Sequence, residues 1–138
     1  MRSLIVLIVV VGSSFALRPT QSAGVRGKLI CDGAPAANVL VKLYDDDRFG
    51  KDDKLDYGRT AADGTFQLQG HTNELTPIDP KLNIYHDCND GWKPCQRKFT
   101  IEIPDSYITR GEQPRKIYDA GVIQLAGIYP GESRDCIH

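Results

Sequence analysis

From residue 25 onward, apolar and polar positions alternate in short runs separated by turn signals. Val39, Val41 and Leu43 fall on one side of such a run, with Lys42 and Tyr44 on the other. Phe66 and Leu68 alternate with Thr65, Gln67 and Gln69, and Phe99, Ile101 and Ile103 alternate with Lys98, Thr100 and Glu102. Leu82 and Ile84 repeat the pattern before Cys88. Successive side chains of a strand point to opposite faces, so each run predicts a strand that buries one face only. Shorter candidates are residues 25–31, 55–60, 115–118 and 121–126, for a total of seven to eight strands. Asp32-Gly33 with Pro35, Ala62-Asp63-Gly64, Asp90-Gly91 and Pro104-Asp105 supply the turns. No window carries a helical period, although Thr72 can cap a single helical turn over residues 72–75. Half-apolar strands bury their faces most simply by stacking two sheets, so an all-β, antiparallel sandwich is expected.

The first residues follow a different logic. Arg2 precedes eight apolar residues, 4–11, and then the small residues Gly12, Ser13 and Ser14. Such a run is too short to span a bilayer as a helix. Charge, apolar core and small residues in that order describe a secretory signal peptide rather than a buried strand, with Ser14 and Ala16 at the −3 and −1 positions of a cleavage site. The expected organisation is a signal peptide over 1–16, a short extension over 17–24 and one domain over 25–138. Cleavage leaves 122 residues without a second apolar segment to serve as a transmembrane anchor. The full chain has 17 basic and 18 acidic side chains, and loss of Arg2 leaves a net charge of −2. A chain of this size holds one ordinary domain. Its charge provides no global field for nucleic acid. The expected product is secreted and extracellular.

Four cysteines, Cys31, Cys88, Cys95 and Cys136, all follow the cleavage site. An even number in a small secreted domain implies two disulfides among three connectivities. Asp90-Gly91 and Pro94 can turn the chain back between Cys88 and Cys95, which favours that pair and leaves Cys31 for Cys136. Zinc would need Cys-x2-Cys or His-x3-His spacings that the sequence lacks.

Two segments together, Gly33-Ala34-Pro35-Ala36-Ala37-Asn38-Val39-Leu40-Val41-Lys42-Leu43-Tyr44 and Thr60-Ala61-Ala62-Asp63-Gly64-Thr65-Phe66, resemble the strand-turn-strand signature of transthyretin-type sandwiches. Leu43-Tyr44-Asp45-Asp46-Asp47, the block from Ile78 to Cys88, Ile103-Pro104-Asp105-Ser106-Tyr107-Ile108 and Tyr118-Asp119-Ala120-Gly121 narrow the resemblance to the nematode transthyretin-like family. The resemblance implies a transthyretin-like (prealbumin- or immunoglobulin-like) β-sandwich and a secreted protein. Hydrolases of related fold carry a C-terminal Tyr-Arg-Gly-Ser with His and Arg residues, whereas residues 134–138 here read Arg-Asp-Cys-Ile-His. Of the three histidines, His71, His86 and His138, none stands in a recognised catalytic spacing, and no catalytic residue is expected.

The loops carry the functional signal. Residues 45–56 hold six carboxylates in twelve positions, and Asp45, Asp47, Asp53 and Asp56 fall on calcium-loop positions. Phe49 stands where another ligand is needed, and basic residues interrupt the acids, so a solvated loop competes with calcium there. No other cofactor is expected. Residues 86–95 carry His86, Asp87 and the single tryptophan, Trp92, which can serve an interface or pack into the core. For His86 itself, a tethered or partly buried strand residue is the simpler reading. Tyr107 and Arg110 offer a further contact surface or a cap on the sandwich edge. These features suggest a non-catalytic binding or bridging module for a secreted or cell-surface protein partner. A carrier of a small apolar ligand is the alternative, although one Met and four Phe advertise no large apolar cavity. Exposed sheet edges also permit a homodimer.

Overall fold

In the computed structural model, which describes residues 18–47 and 52–138, the alternating runs become strands of two stacked sheets. The first sheet is organised around β1 (Thr20–Cys31), whose neighbours are β2 (Ala34–Pro35), β5 (Thr65–Asn73), β8 (Thr109–Arg110) and β9 (Tyr118–Gln124). The second has the order β10-β7-β6-β3-β4 and comprises β3 (Leu40–Asp45), β4 (Asp53–Arg59), β6 (Pro80–His86), β7 (Gln96–Glu102) and β10 (Ser133–Asp135). One 3-10 turn, Asp105–Tyr107, follows β7. Residues 1–16, expected to form the signal peptide, lie outside the described residues.

The period-two pattern translates directly into the core. Val25 and Leu29 of β1, Val41 and Leu43 of β3, Phe66 and Leu68 of β5, Leu82 and Ile84 of β6, and Phe99 of β7 meet between the sheets. Each side chain of this size contributes about 1.5–3 kcal/mol when fully buried. Gly64 closes the turn before β5 at φ +84°, and a Cβ there would collide with the Leu29 carbonyl oxygen. Asp63 secures the same turn by accepting hydrogen bonds from the Thr65 amide and hydroxyl at 3.0 and 2.6 Å.

Several boundaries differ from expectation. β1 begins at Thr20, so residues 20–24 belong to the sheet rather than to an extension. Their pairing with β5 reaches Thr20↔Asn73, which draws Thr72 into a strand instead of a helical cap. Gln21 then satisfies the chain beyond β5: its side-chain amide donates to the carbonyls of Glu74 and Thr76, and its oxygen accepts from the Ile78 amide. The pairing of β1 with β9 is parallel, unlike the other pairs, and slips by a bulge between Arg26 and Lys28. β9 starts at Tyr118, so residues 115–117 lie outside any strand.

The disulfides also correct the expected pairing of Cys88 with Cys95. Cys31 is joined to Cys88, with their Cα atoms 5.8 Å apart, and Cys95 to Cys136. The register explains the exchange. Asp135 of β10 stands opposite Gln96 of β7, which places the next residue, Cys136, beside Cys95. Cys88 instead turns inward, only 8% exposed, to meet the end of β1. The separations of 57 and 41 residues correspond to about 4 kcal/mol of stabilisation each in the chain-entropy account. Peptide mapping of the unreduced protein should recover Cys31–Cys88 and Cys95–Cys136 peptides, whereas a Cys88–Cys95 peptide would contradict this topology.

Candidate functional site

The segment between β6 and β7 is held from several sides. Cys88 and Cys95 tie it to β1 and to the C-terminal segment. Asn89, Gly91 and Cys95 all adopt positive φ, and the amides of Asp90 and Lys93 donate to the carbonyls of Asp87 and Asp90. Arg134 grips the Asp90 carboxylate with two nitrogens at 2.8 and 2.6 Å and also donates to the Cys95 carbonyl. That paired hydrogen bonding holds the Asp90 carboxyl below the usual carboxylate range, despite the opposing effect of its burial. Asp87 accepts a hydrogen bond from Gln96 at the outer edge of the loop.

Beneath the loop lies Arg97, 6% exposed. It donates to the carbonyls of Cys88 and Gly127 and makes a two-nitrogen contact with Glu132 at 3.1 and 2.8 Å. A buried guanidinium requires this degree of pairing, because an unpaired charge there would be strongly destabilising. The alternation of β7 contains the clue to Arg97, which shares the inward face with Phe99; its charge conceals the same role in a plain hydropathy pattern.

Trp92 projects from this fixed loop with 94% of its surface exposed, so it does not pack into the core. Ile128 and Ile137 are also exposed, at 84% and 90%, on segments attached to the same frame through Gly127 and Cys136. Nothing in their immediate sequence distinguishes these two isoleucines from core residues. His86 takes the opposite position: it is 2% exposed, packs edge-on to Phe99, and accepts the Cys88 amide through Nδ1. That bond places its proton on Nε2, which has no hydrogen-bond partner among the described residues. His86 therefore supports the loop and does not present a contact surface.

The remaining candidates occupy the other end of β7. Tyr107, on the 3-10 turn, packs edge-on against Tyr118, and exposed Arg110 lies on β8, so neither joins Trp92. Nearby, a cleft of about 340 Å³ is lined by Asp45, Asp47, Glu74, Asp79 and Asp105. Oxygens of Asp45, Asp53 and Glu74 lie within 4.8 Å of one another. Burial raises the Asp45 pKa, and a hydrogen bond with Asp53 raises that of Glu74. Of the four proposed calcium ligands, only Asp45 and Asp53 enter this cluster. Asp56 instead accepts the Tyr57 and Gln69 amides along the sheet edge. Glu74 escaped the sequence pattern because β5 brings it back from a distant position.

A second concavity, about 570 Å³, opens over the β1 bulge. Arg26, Lys28 and Arg59 surround it, Phe66 contributes apolar surface, and Val122 is exposed on its rim. Asp119 pairs with Arg26 at 3.5 Å.

Two outcomes test these assignments. Burial, followed by the nearby Arg97 charge, lowers the His86 pKa, against weaker opposing effects from Glu132, Asp87 and Asp90. The unfolded chain therefore binds the His86 proton more readily, and stability should fall as pH drops below about 6.5 until the folded pKa is passed. His86 can contribute at most about 1.4 kcal/mol per pH unit to that slope, and urea titrations should find it shallower in His86→Gln. For the acidic cluster, both raised pKa values mean that ionisation opposes folding as pH rises. Glu74→Gln should stabilise the protein at pH 7 by a few tenths of a kcal/mol, the scale of an exposed charge contact; an unchanged or lower urea midpoint would contradict the repulsion.

Comparison with known proteins bears on this architecture as a whole. The transthyretin-like family model matches residues 26–104. Transthyretin-like protein 5 of Caenorhabditis elegans is 68% identical over 137 residues, covering 98% of this chain and 99% of the relative. Transthyretin-like protein 33 of the same organism is 53% identical, covering 86% and 84% of the two chains, and transthyretin-like protein 2 is 46% identical, covering 97% and 95%. A solved 9R-lipoxygenase structure from Cyanothece aligns with 86% of this chain and 20% of its own at 16% identity, with a TM-score of 0.41. With a family match over more than half its length and a close relative along nearly all of it, the chain belongs to the transthyretin-like family.

Proposed function

We propose that this protein is a secreted, non-catalytic extracellular module that binds a secreted or cell-surface protein through the loop bearing Trp92. The observation that carries the proposal is the exposure of Trp92 on a segment fastened by two disulfides and two arginine–carboxylate pairs. An aromatic side chain held ready by folding loses little further freedom on binding and can bury a large area in a partner's pocket. The sequence order of residues 1–16 supports secretion, as do two disulfides in so small a domain. No helix among the described residues is long and apolar enough to cross a membrane. The proposed binding requires no cofactor, and a bridging role would use a second face for another partner or another copy of the chain.

The cleft over the β1 bulge favours a second reading, transport of a small apolar molecule. Its volume falls within the ordinary range for small ligands, and its three cations favour an apolar molecule carrying an anionic group.

The discriminating experiment is crosslinking of oxidised protein spanning residues 17–138 to extracellular and cell-surface proteins, with and without calcium, followed by mass spectrometry. Saturable capture of one partner, reduced at least tenfold by Trp92→Ala, is the result expected of the binding module. Capture insensitive to Trp92→Ala would remove the proposed face. Native mass spectrometry that finds an anionic apolar ligand, lost on Arg26→Gln and Lys28→Gln, would instead favour the carrier.

A further inference from the structure

The outward face of the β10-β7-β6-β3-β4 sheet is unlike either functional surface described above. Because Val41, Leu43, Leu82, Ile84 and Phe99 point inward, their strand neighbours Lys42, Tyr44, Asn83, Tyr85, Lys98 and Thr100 must point outward. The register aligns Tyr57, Lys42, Asn83 and Thr100 across four strands, a row about 14 Å long at ordinary strand spacing. The neighbouring row contains Arg59, Leu40, Tyr85 and Lys98.

A connected set of neutral polar groups fixes the middle of this face. Thr100 donates to Asn83 at 2.6 Å, and the Asn83 amide donates to the Tyr85 hydroxyl at 3.1 Å. His138 stacks on buried Tyr85 of the neighbouring row, leaving Tyr57 as the exposed ring of the two rows. The cations are unevenly compensated. Lys81 is surrounded by Asp46, Asp79 and Glu102, and Lys98 faces Asp135. Lys42 and Lys54 lie 5.4 and 4.3 Å from the ring centres of Tyr85 and Tyr57, and neither has a carboxylate in ion-pair contact among the described residues.

We propose that this face is a docking surface for a linear anionic polysaccharide bearing sulfate or carboxylate groups. Lys42 and Lys54 would meet its charges, exposed Thr100 would face its hydroxyl-rich portions over the buried Asn83, and Tyr57 would pack against a sugar ring. Charge complementarity selects an anion. A protein partner fits less well, because the centre of the face is polar and charged where a stable protein interface places apolar side chains. Single-stranded nucleic acid requires successive stacking rings, whereas this row exposes one.

Affinity for dextran sulfate, hyaluronate, neutral dextran and single-stranded oligo-dT, measured by fluorescence anisotropy or competition at several salt concentrations, tests the proposal. Binding to dextran sulfate or hyaluronate should weaken with salt, should fall about tenfold when Lys42→Gln and Lys54→Gln are combined, and should fall severalfold in Tyr57→Ala. Neutral dextran should not bind. Trp92→Ala should retain the affinity, separating this face from the protein-binding loop. Absence of binding to both anionic polysaccharides, equal affinity for neutral dextran or oligo-dT, or an undiminished affinity in the folded double variant would overturn the proposal. Near-ultraviolet circular dichroism of each variant establishes that it is folded before affinity is compared.

Discussion

The crosslink between Cys31 and Cys88 is the constraint on which this end of the molecule depends. It joins the last residue of β1, the organising strand of one sheet, to the residue two positions beyond β6 of the other. With the two sheets pinned there, Arg97 can occupy an interior position that would otherwise be prohibitive. Its partners are already gathered: the Cys88 carbonyl, the Gly127 carbonyl and the Glu132 carboxylate. A buried charge is tolerable only with such saturation, so the crosslink and the arginine have mutually dependent structural roles.

The same arrangement explains why Trp92 is fully outside. A loop with three residues at positive φ would ordinarily sample many conformations, and a tryptophan on it would tend to fold back onto apolar surface. Here Arg134, bound to Asp90 and Cys95, braces the loop from the side while Arg97 and His86 fill the space below. His86 and Arg97 are both buried, whereas Trp92 is almost fully exposed. Rigidity beneath the loop and exposure at its tip thus have one cause.

At the opposite end of β7, the acidic cleft obeys a different balance. Asp45 is retained in a nearly buried place by the Asp79 amide, yet it must share that place with Asp53 and Glu74. Repulsion and desolvation act together there, whereas the Asp90–Arg134 pair offsets both. One sandwich consequently carries a tightly compensated end and an electrostatically tense one, separated by the length of its strands.

The strands and most of their inward residues were legible in the chain, because a period of two maps onto the faces of a strand without knowledge of its neighbours. Val41, Leu43, Phe66, Leu82, Ile84 and Phe99 were all readable in this way. The turn at Asp63-Gly64 was readable as well, since positive φ favours glycine locally. Half-apolar strands also pointed to a sandwich, which the family blocks narrowed to the transthyretin-like type. Tertiary structure alone decided the disulfide pairing, which follows from β10 lying beside β7, and the parallel course of β9 beside β1. It also decided that Trp92 lies outside, that Glu74 joins Asp45 and Asp53, and that Arg97 is buried. Each of these outcomes depends on which distant segments meet, and local periodicity contains no distance between segments; only their packing supplies it.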